Sequence, residues 1–338
     1  MEVLESISDI LSADDLAKLS LLSSLSLYYF VGDRDEELDY ISTAFLSPNI
    51  TTLNISVATD IAVMMLEACP NLVTACFNLP LEAYRDVKRS PSRDYPRLRT
   101  LTIKIFELGL FCAILDAATC PSLDSLSLEV GRQMPMLPMG DTPVIWEGSD
   151  SEDHPVVGPP NDDSSDSTHF LPESLRAFLV RSNVSRSLQS FTLENVPLAD
   201  DYLMDLLMMM PHLREFTIGD PYRDSGKIEA GRLAPVFMTN SHLFAWLSEP
   251  TRLTYLRHIR LTVYPDFPDA AFVQMIEARL ASGLTRGLVS VFLEFIDDHS
   301  KDLDMQRLIK LQRDGLAIRV QVIVDNAGPR QVLGYDLT

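Results

Sequence analysis

Residues 121–130 of the chain read PSLDSLSLEV. Leu123, Leu126 and Leu128 are separated by two residues and then by one, and serines stand at positions 125 and 127. Alternation of apolar and small polar residues is typical of a β-strand with one buried and one solvated face. Proline disfavours helical backbone, so Pro121 marks the place where a helix gives way to this strand.

The same spacing recurs along the chain. Five of the eight intervals between successive copies are 22 to 28 residues long, and the other three are 65, 43 and 32. An L-x-x-L-x-L core repeated every 20–29 residues or so is the signature of a leucine-rich repeat. The long intervals require insertions or an unrecognised copy. The nine copies have their apolar positions at Leu22/Leu25/Leu27, Ile50/Leu53/Ile55, Leu72/Ala75/Phe77, Leu98/Leu101/Ile103, Leu123/Leu126/Leu128, Leu188/Phe191/Leu193, Leu213/Phe216/Ile218, Leu256/Ile259/Leu261 and Leu288/Val291/Leu293.

Helical periodicity lies between several of the strands. It predicts helices over residues 61–68, 108–118, 202–210 and 270–280. Their candidate N-caps are Thr59, Asp200 and Asp269. Armadillo and tetratricopeptide arrays fit less well, because their units contain helices and no strand.

One strand and one helix cannot bury their apolar faces alone, so the units must stack. The sequence therefore predicts an α/β leucine-rich-repeat solenoid over residues 1–330. In this fold a curved parallel sheet forms the concave side and helices form the convex side. Residues 1–20 are expected to be an N-terminal capping helix, and residues 331–338 a C-terminal tail.

Residues 131–170 interrupt the pattern. The stretch from 141 to 170 carries eight acidic side chains and neither Lys nor Arg. Low hydrophobicity with charge of one sign opposes collapse, so we predict a disordered acidic insertion. Two interpretations remain open, a solvated linker or a partner-recruiting segment. In the second, Trp146 is an aromatic anchor and the serines around 164–167 are phosphorylated.

Charge and targeting signals limit the class of protein. The formal net charge of −20 opposes general binding to a phosphate backbone, and no basic patch is evident in the sequence. Neither a secretory signal nor a membrane span is evident, which predicts a cytoplasmic or nuclear protein. The four cysteines lie outside C-x-x-C pairs and are expected to be buried free thiols. They are Cys69, Cys76, Cys112 and Cys120.

Side chains that alternate with the repeat leucines should face the concave surface, and most of them are Ser, Thr or Asn. The charged, imidazole and aromatic exceptions are the candidate partner-binding residues. Binding energy concentrates in aromatic and Arg side chains, which favours Arg260 and Phe292 as anchors. The alternatives are ordinary exposed strand residues, or a register slip that turns Phe292 into the core. The full candidate set is Lys104, Glu129, Glu194, Glu215, His258, Arg260, Phe292 and Glu294.

Motifs of enzyme sites are absent from the sequence. It contains no G-x-G-x-x-G, P-loop, G-x-S-x-G or H-E-x-x-H motif, and its six histidines do not stand at ligand spacing from acids. We therefore predict no catalytic residues, no metal site and no cofactor. The expected function is binding of a protein partner.

Three stretches resemble fungal F-box proteins with leucine-rich repeats. They are SLQSFTLENVPLADDYLMDLLMMMPHLREFTIGDP at 187–221, LRHIRLTVYPDFPDAAFVQMIEAR at 256–279 and RLIKLQRDGLAIRV at 307–320. The resemblance implies a substrate-recognition module related to ubiquitin ligation, with a ligase adaptor as partner if an F-box lies outside this chain. Residues 1–45 show no F-box. The alternative is a repeat-only structural protein with no link to ubiquitin ligation.

Overall fold

The computed structural model describes residues 23–27, 49–79, 92–106, 109–131, 167–220, 238–263, 267–281, 287–296, 305–324 and 331–336. The described residues form an α/β fold on a mostly parallel sheet. The predicted capping helix at 1–20 lies outside them, and so does the acidic insertion from residue 132 to 166.

The strands alternate with helices along most of the chain. The strands are β1 Ser24–Leu27, β2 Thr52–Ser56, β3 Thr74–Leu79, β4 Arg93–Asp94, β5 Thr100–Ile105, β6 Ala118–Thr119, β7 Ser125–Val130, β8 Ser190–Glu194, β9 Glu215–Gly219, β10 His258–Val263, β11 Ser290–Ile296, β12 Ala317–Val324 and β13 Gln331–Asp336. The helices are α1 Thr59–Ala68, α2 Gly109–Ala117, α3 Ser167–Arg181, α4 Asp200–Met208, α5 Ser241–Ser248, α6 Asp269–Ala281 and α7 Met305–Arg313.

The main sheet has eleven strands in the order β1-β2-β3-β5-β7-β8-β9-β10-β11-β12-β13. All neighbours pair in parallel except β12 and β13, which are antiparallel. The short strands β4 and β6 form a separate parallel pair. Strand order follows chain order, and parallel crossovers are right-handed, so the connecting helices fall on one side of the sheet.

The register confirms all nine predicted strands. In β7, Leu126 pairs with Leu101 of β5 and with Phe191 of β8, and the same ladder of repeat positions runs from β1 to β12. Burial alternates along these strands, as in β5, where every second residue is buried. The buried strand and helix residues form a continuous apolar cluster from Leu25 to Val322. The face that the helices cover is therefore the core.

The three long intervals are insertions, because β7 pairs with β8, β9 with β10 and β10 with β11. One further strand, β12, lacks the complete repeat motif and was not predicted. Its register with β11 aligns Ser290 with Ala317, which puts Gly315 at the position of Leu288. Gly315 has φ +102, a conformation that favours glycine over leucine, so the motif is incomplete there. Residues 331–338 were expected to be a tail, but they contain β13.

The four predicted helices are confirmed as α1, α2, α4 and α6, with ends shifted by one or two residues. The predicted caps of α1 and α4 are wrong by one position. Ala58 and Ala199 occupy the N-caps, and neither provides a side-chain cap. Asp200 instead lies in the first turn of α4, where its charge suits the helix dipole. The predicted insertion ends early, since α3 already begins at Ser167.

Two arginines, one buried and one half-buried, donate to carbonyl oxygens at the ends of two helices. Arg279 of α6 donates to the carbonyl oxygens of Leu247 at 2.7 Å and Leu253 at 2.8 Å, and is only 6% exposed. Arg181 of α3 donates in the same way to Leu115 and Ala118. Each guanidinium satisfies carbonyls that a helix end leaves without an intrahelical partner. Neighbouring units are thus joined by polar contacts as well as by apolar packing.

All four cysteines are free thiols. Cys69 and Cys120 are buried, and burial raises the pKa of Cys69 to about 11 and that of Cys120 to about 12. Both thiols stay protonated, which matches the expected packing role. Cys76 and Cys112 are only half-buried, so the expectation of burial was wrong for these two.

Candidate functional site

The sheet face away from the helices, called the exposed face below, carries all eight predicted binding residues. They alternate with buried residues on six neighbouring strands. Two groups result. Lys104, Glu129 and Glu194 are consecutive partners on β5, β7 and β8. The other five lie on β9, β10 and β11, and they are Glu215, His258, Arg260, Phe292 and Glu294.

The first group contains a short ion pair. Lys104 Nζ lies 2.6 Å from Glu129 Oε2, and the hydroxyl of Ser127 donates to Glu129 Oε1 at 3.0 Å. The hydrogen bond with Glu129 is the main reason that the pKa of Lys104 is raised. The charge of this lysine is therefore already matched within the chain.

Among the described residues, no Lys or Arg forms a salt bridge with Glu194. Burial raises its pKa, the Glu129 carboxylate raises it further, and the Arg260 guanidinium lowers it. Within the described part of the chain, Lys104 pairs with Glu129 and Arg260 pairs with Glu294, and neither cation bonds to Glu194. An ionised Glu194 is consequently costly unless an external cation reaches it.

Gly219 lies beside Glu194 in the same row. A Cβ built on Gly219 would stand 3.4 Å from Thr262 Cβ and 3.7 Å from Glu194 Cγ. A Cβ at this position would thus make ordinary van der Waals contacts with residues on both neighbouring strands. The glycine's lack of a side chain leaves Glu194 without a neighbour on β9 that could donate a hydrogen bond.

The second group is centred on Phe292. The guanidinium of Arg260 lies 4.8 Å from the centre of the Phe292 ring, and that of Arg319 lies 5.5 Å from it. Arg260 and Arg319 are the partners of Phe292 on the two adjacent strands. Guanidiniums at such distances are attracted by the ring face. Arg260 also donates to Glu294 at 3.0 Å.

This arrangement excludes the register slip as an alternative for Phe292. The register does not slip, and Phe292 lies half-buried on the exposed face between two exposed arginines. Arg319 was not among the predicted residues, because β12 lacks the complete repeat motif. Its signal was the alternation Ile318-Arg319-Val320, which matches Val291-Phe292-Leu293 of β11.

His258 and Glu215 are adjacent in the register but serve different contacts. The Nδ1 atom of His258 and the hydroxyl of Ser290 are 2.7 Å apart. Glu215 is exposed. Neither residue joins the Arg260–Phe292–Arg319 cluster through a direct contact, so these two predicted residues lie at its border.

Neither a metal-binding cluster nor a membrane-spanning helix is found among the described residues. In the described ranges, no three His, Cys, Asp or Glu side chains come together in a way that would hold a metal ion. Over the same residues, no helix has the length and apolar character needed to cross a membrane.

Comparisons with known proteins identify no family. No protein-family model matches the chain, and no curated protein matches it. A crystal structure of a Bacteroides fragilis protein, determined as a target of the Northeast Structural Genomics Consortium, is similar at 13% identity with a TM-score of 0.41. The match covers 90% of this chain and 66% of that one. A likeness at this level carries no inference about function.

Proposed function

We propose that the chain is a leucine-rich-repeat protein that binds a protein partner through the exposed face, with Arg260, Phe292 and Arg319 as the anchor. The observation that carries the proposal is the position of Phe292. An aromatic ring on the solvated side of a sheet, held between two arginines, combines the residue types that dominate binding energy at protein interfaces.

The repeat interpretation is supported by three features. Consecutive units pair in parallel, the strand order follows the chain order, and the same positions of each unit form the ladder of buried residues. A tenth unit, β12, continues the ladder with Ile318 and Val320. In a stacked array of this kind, the face opposite the helices is the expected binding surface.

The charges on the exposed face suggest the chemistry of the partner. Glu294 already neutralises Arg260, whereas Arg319 contacts only the Phe292 ring among the contacts that the structure describes. Arg319 also stands opposite Asp336 of β13 in the register, so a partner carboxylate would share this arginine with Asp336, whereas Glu194 is available to a partner Lys or Arg. The two lie four strands apart, about 19 Å at the usual strand spacing. A partner with an apolar side chain flanked by an acid and a base fits this spacing.

The resemblance to fungal F-box proteins suggests a more specific role. Under this proposal the exposed face binds a substrate of a cytoplasmic or nuclear ubiquitin ligase. The adaptor contact would require an F-box outside this chain. The competing possibility is a repeat protein with no link to ubiquitin ligation, and the two differ in what co-purifies.

The test compares variants of the exposed face. Wild type, Phe292→Ala, Arg319→Ala and the control Thr74→Ala, on β3 of the same face and outside the candidate set, are purified with their bound proteins and then titrated with each partner that is found. We expect the Phe292 and Arg319 variants to lose affinity about tenfold or more, as anchor residues do, and the control to bind as wild type. Equal affinities for all four would refute the anchor. A ligase adaptor among the partners would support the narrower role, and its consistent absence would favour the repeat-only protein.

A further inference from the structure

A small pocket lies at the edge of the sheet where the strands begin, away from the Phe292 cluster. It has a volume of about 170 Å³ and is open to solvent. Its lining residues come from three neighbouring units, and they are Arg186, Gln189, His212, Arg214 and Tyr255. All five carry hydrogen-bond donors, and none is acidic.

The repeat register builds this pocket. Gln189, Arg214 and Arg257 are the residues just before β8, β9 and β10. They form a row in which Arg214 N–H donates to the Gln189 carbonyl at 2.7 Å and Arg257 N–H donates to that of Arg214 at 2.8 Å. His212 and Tyr255 each stand two residues before a member of the row, and their rings are 5.0 Å apart.

Arg186 completes the pocket from the 3-10 turn Val184–Arg186 that precedes β8. It is separated from Arg214 by 28 positions in the sequence, so no run of basic residues reveals the cluster. This corrects the sequence analysis, which found no local basic patch. The patch is created by folding.

The two pocket arginines have no acidic partner among the residues that the structure describes. Arg186 and Arg214 are both exposed, and within the described ranges neither forms a salt bridge. Arg99 provides the contrast, since it occupies the same row three strands away and lies 4.0 Å from Asp124. In a chain with a net charge of −20, two unmatched guanidiniums in one concavity concentrate positive potential.

We propose that this pocket binds the phosphate group of a phosphate monoester. Guanidinium groups match phosphate oxygens with paired N–H donors, and two of them balance a dianion, whereas a carboxylate needs only one. The amide of Gln189 and the hydroxyl of Tyr255 supply neutral donors. The His212 and Tyr255 rings form a wall against which the group that carries the phosphate can pack. This site is independent of the proposed protein-binding face.

Isothermal titration calorimetry at fixed ionic strength tests the proposal with inorganic phosphate, phenyl phosphate and acetate as probes. The proteins are wild type, Arg186→Gln, Arg214→Gln, Tyr255→Ala and the control Arg99→Gln, a row residue outside the pocket. We expect both phosphates to bind wild type and the control, and acetate to bind much more weakly. Each pocket arginine variant should weaken phosphate binding about tenfold, since charge-assisted hydrogen bonds are lost.

The outcomes separate the possible ligands. Phenyl phosphate should bind more tightly than inorganic phosphate, and Tyr255→Ala should abolish that difference. Equal affinity of the two phosphates would overturn the monoester in favour of free phosphate. Binding that is undetectable in wild type, or unchanged in both pocket arginine variants, would overturn the site. All substituted residues are exposed or line an open pocket, and circular dichroism verifies that each variant is folded.

Discussion

The N-terminal and C-terminal halves of the exposed face belong to the same sheet but carry different side chains. Between β2 and β5 the outward positions carry mainly Thr, Ser and Asn, whereas between β8 and β12 they carry acids, arginines and Phe292. The ladder of buried residues is continuous through both halves. Small polar residues are therefore sufficient for the sheet, and the charged and aromatic side chains of the C-terminal half are not needed to build it.

A second contrast lies between the two faces of the same strands. Phe216 and Phe292 are both strand phenylalanines, but Phe216 is 1% exposed and stacks on Phe191 at 6.4 Å, whereas Phe292 faces the solvated side. The core ring should contribute to folding, and the exposed ring to binding.

The largest expected effect comes from Phe216→Ala. Removing a buried phenylalanine leaves a cavity and costs about 3–5 kcal/mol in the free energy of unfolding. Phe292→Ala removes only half-buried contacts with two exposed arginines and should cost less than about 1 kcal/mol. Urea unfolding followed by circular dichroism measures both. Similar losses for the two variants would show that Phe292 belongs to the core.

The sequence predicted the buried ladder well because leucine spacing directly reports which strand face is apolar. It predicted less where backbone conformation or long-range pairing decides the outcome. The repeat motif has Gly315 where leucine is expected, because the backbone there adopts a positive φ. For this reason β12 and its residue Arg319 were not predicted. The anchor cluster was therefore found in part, from Arg260 and Phe292. The pocket at Arg186 and Arg214 was not found, because only the sheet register brings the two together.

The next largest effect on the free energy of unfolding is expected when a buried arginine is replaced, and a similar replacement of an exposed arginine serves as the comparison. Arg279→Met leaves the carbonyls of Leu247 and Leu253 without their donor, and buried unsatisfied groups cost about 1–3 kcal/mol each. Arg260→Met, on the exposed face, should change the free energy of unfolding by less than about 1 kcal/mol. Thermal and urea unfolding of the pair decides the comparison. A stable Arg279→Met protein would show that the two carbonyls find other donors.

A smaller effect, with a definite pH dependence, is expected at Glu194. Its pKa is raised in the folded chain, so the folded state holds the proton more tightly than the unfolded state. Wild-type stability should therefore fall as pH rises from the unfolded pKa through the folded one. Glu194→Gln does not titrate, so it should be more stable than wild type at pH 7, and the difference should vanish near pH 4.

Melting temperatures of Glu194→Gln and wild type between pH 4 and pH 8 measure this difference. Glu215→Gln, on the adjacent strand and exposed, is the matched control, and should show no comparable gain at neutral pH. If the stability of Glu194→Gln relative to wild type falls between pH 4 and pH 7, the ionised carboxylate is stabilised inside the fold. It would then be unavailable to a partner cation.

The smallest expected effect is the difference in coupling energy between the ion pairs Lys104–Glu129 and Arg260–Glu294. Lys104 and Glu129 are 2.6 Å apart, but the lysine side chain is 45% exposed, and exposed pairs contribute about 0–1 kcal/mol. A double-mutant cycle over Lys104→Ala and Glu129→Ala should give a coupling in that range, which declines with added salt.

The Arg260–Glu294 pair has a more buried acid, with Glu294 13% exposed, and Arg260 also stacks on Phe292. Its coupling should be larger and should persist in salt, because a shielded carboxylate is screened less. Equal couplings with equal salt dependence would mean that the C-terminal half of the exposed face is as solvated as the N-terminal half, which would remove the physical reason for expecting a partner to bind there.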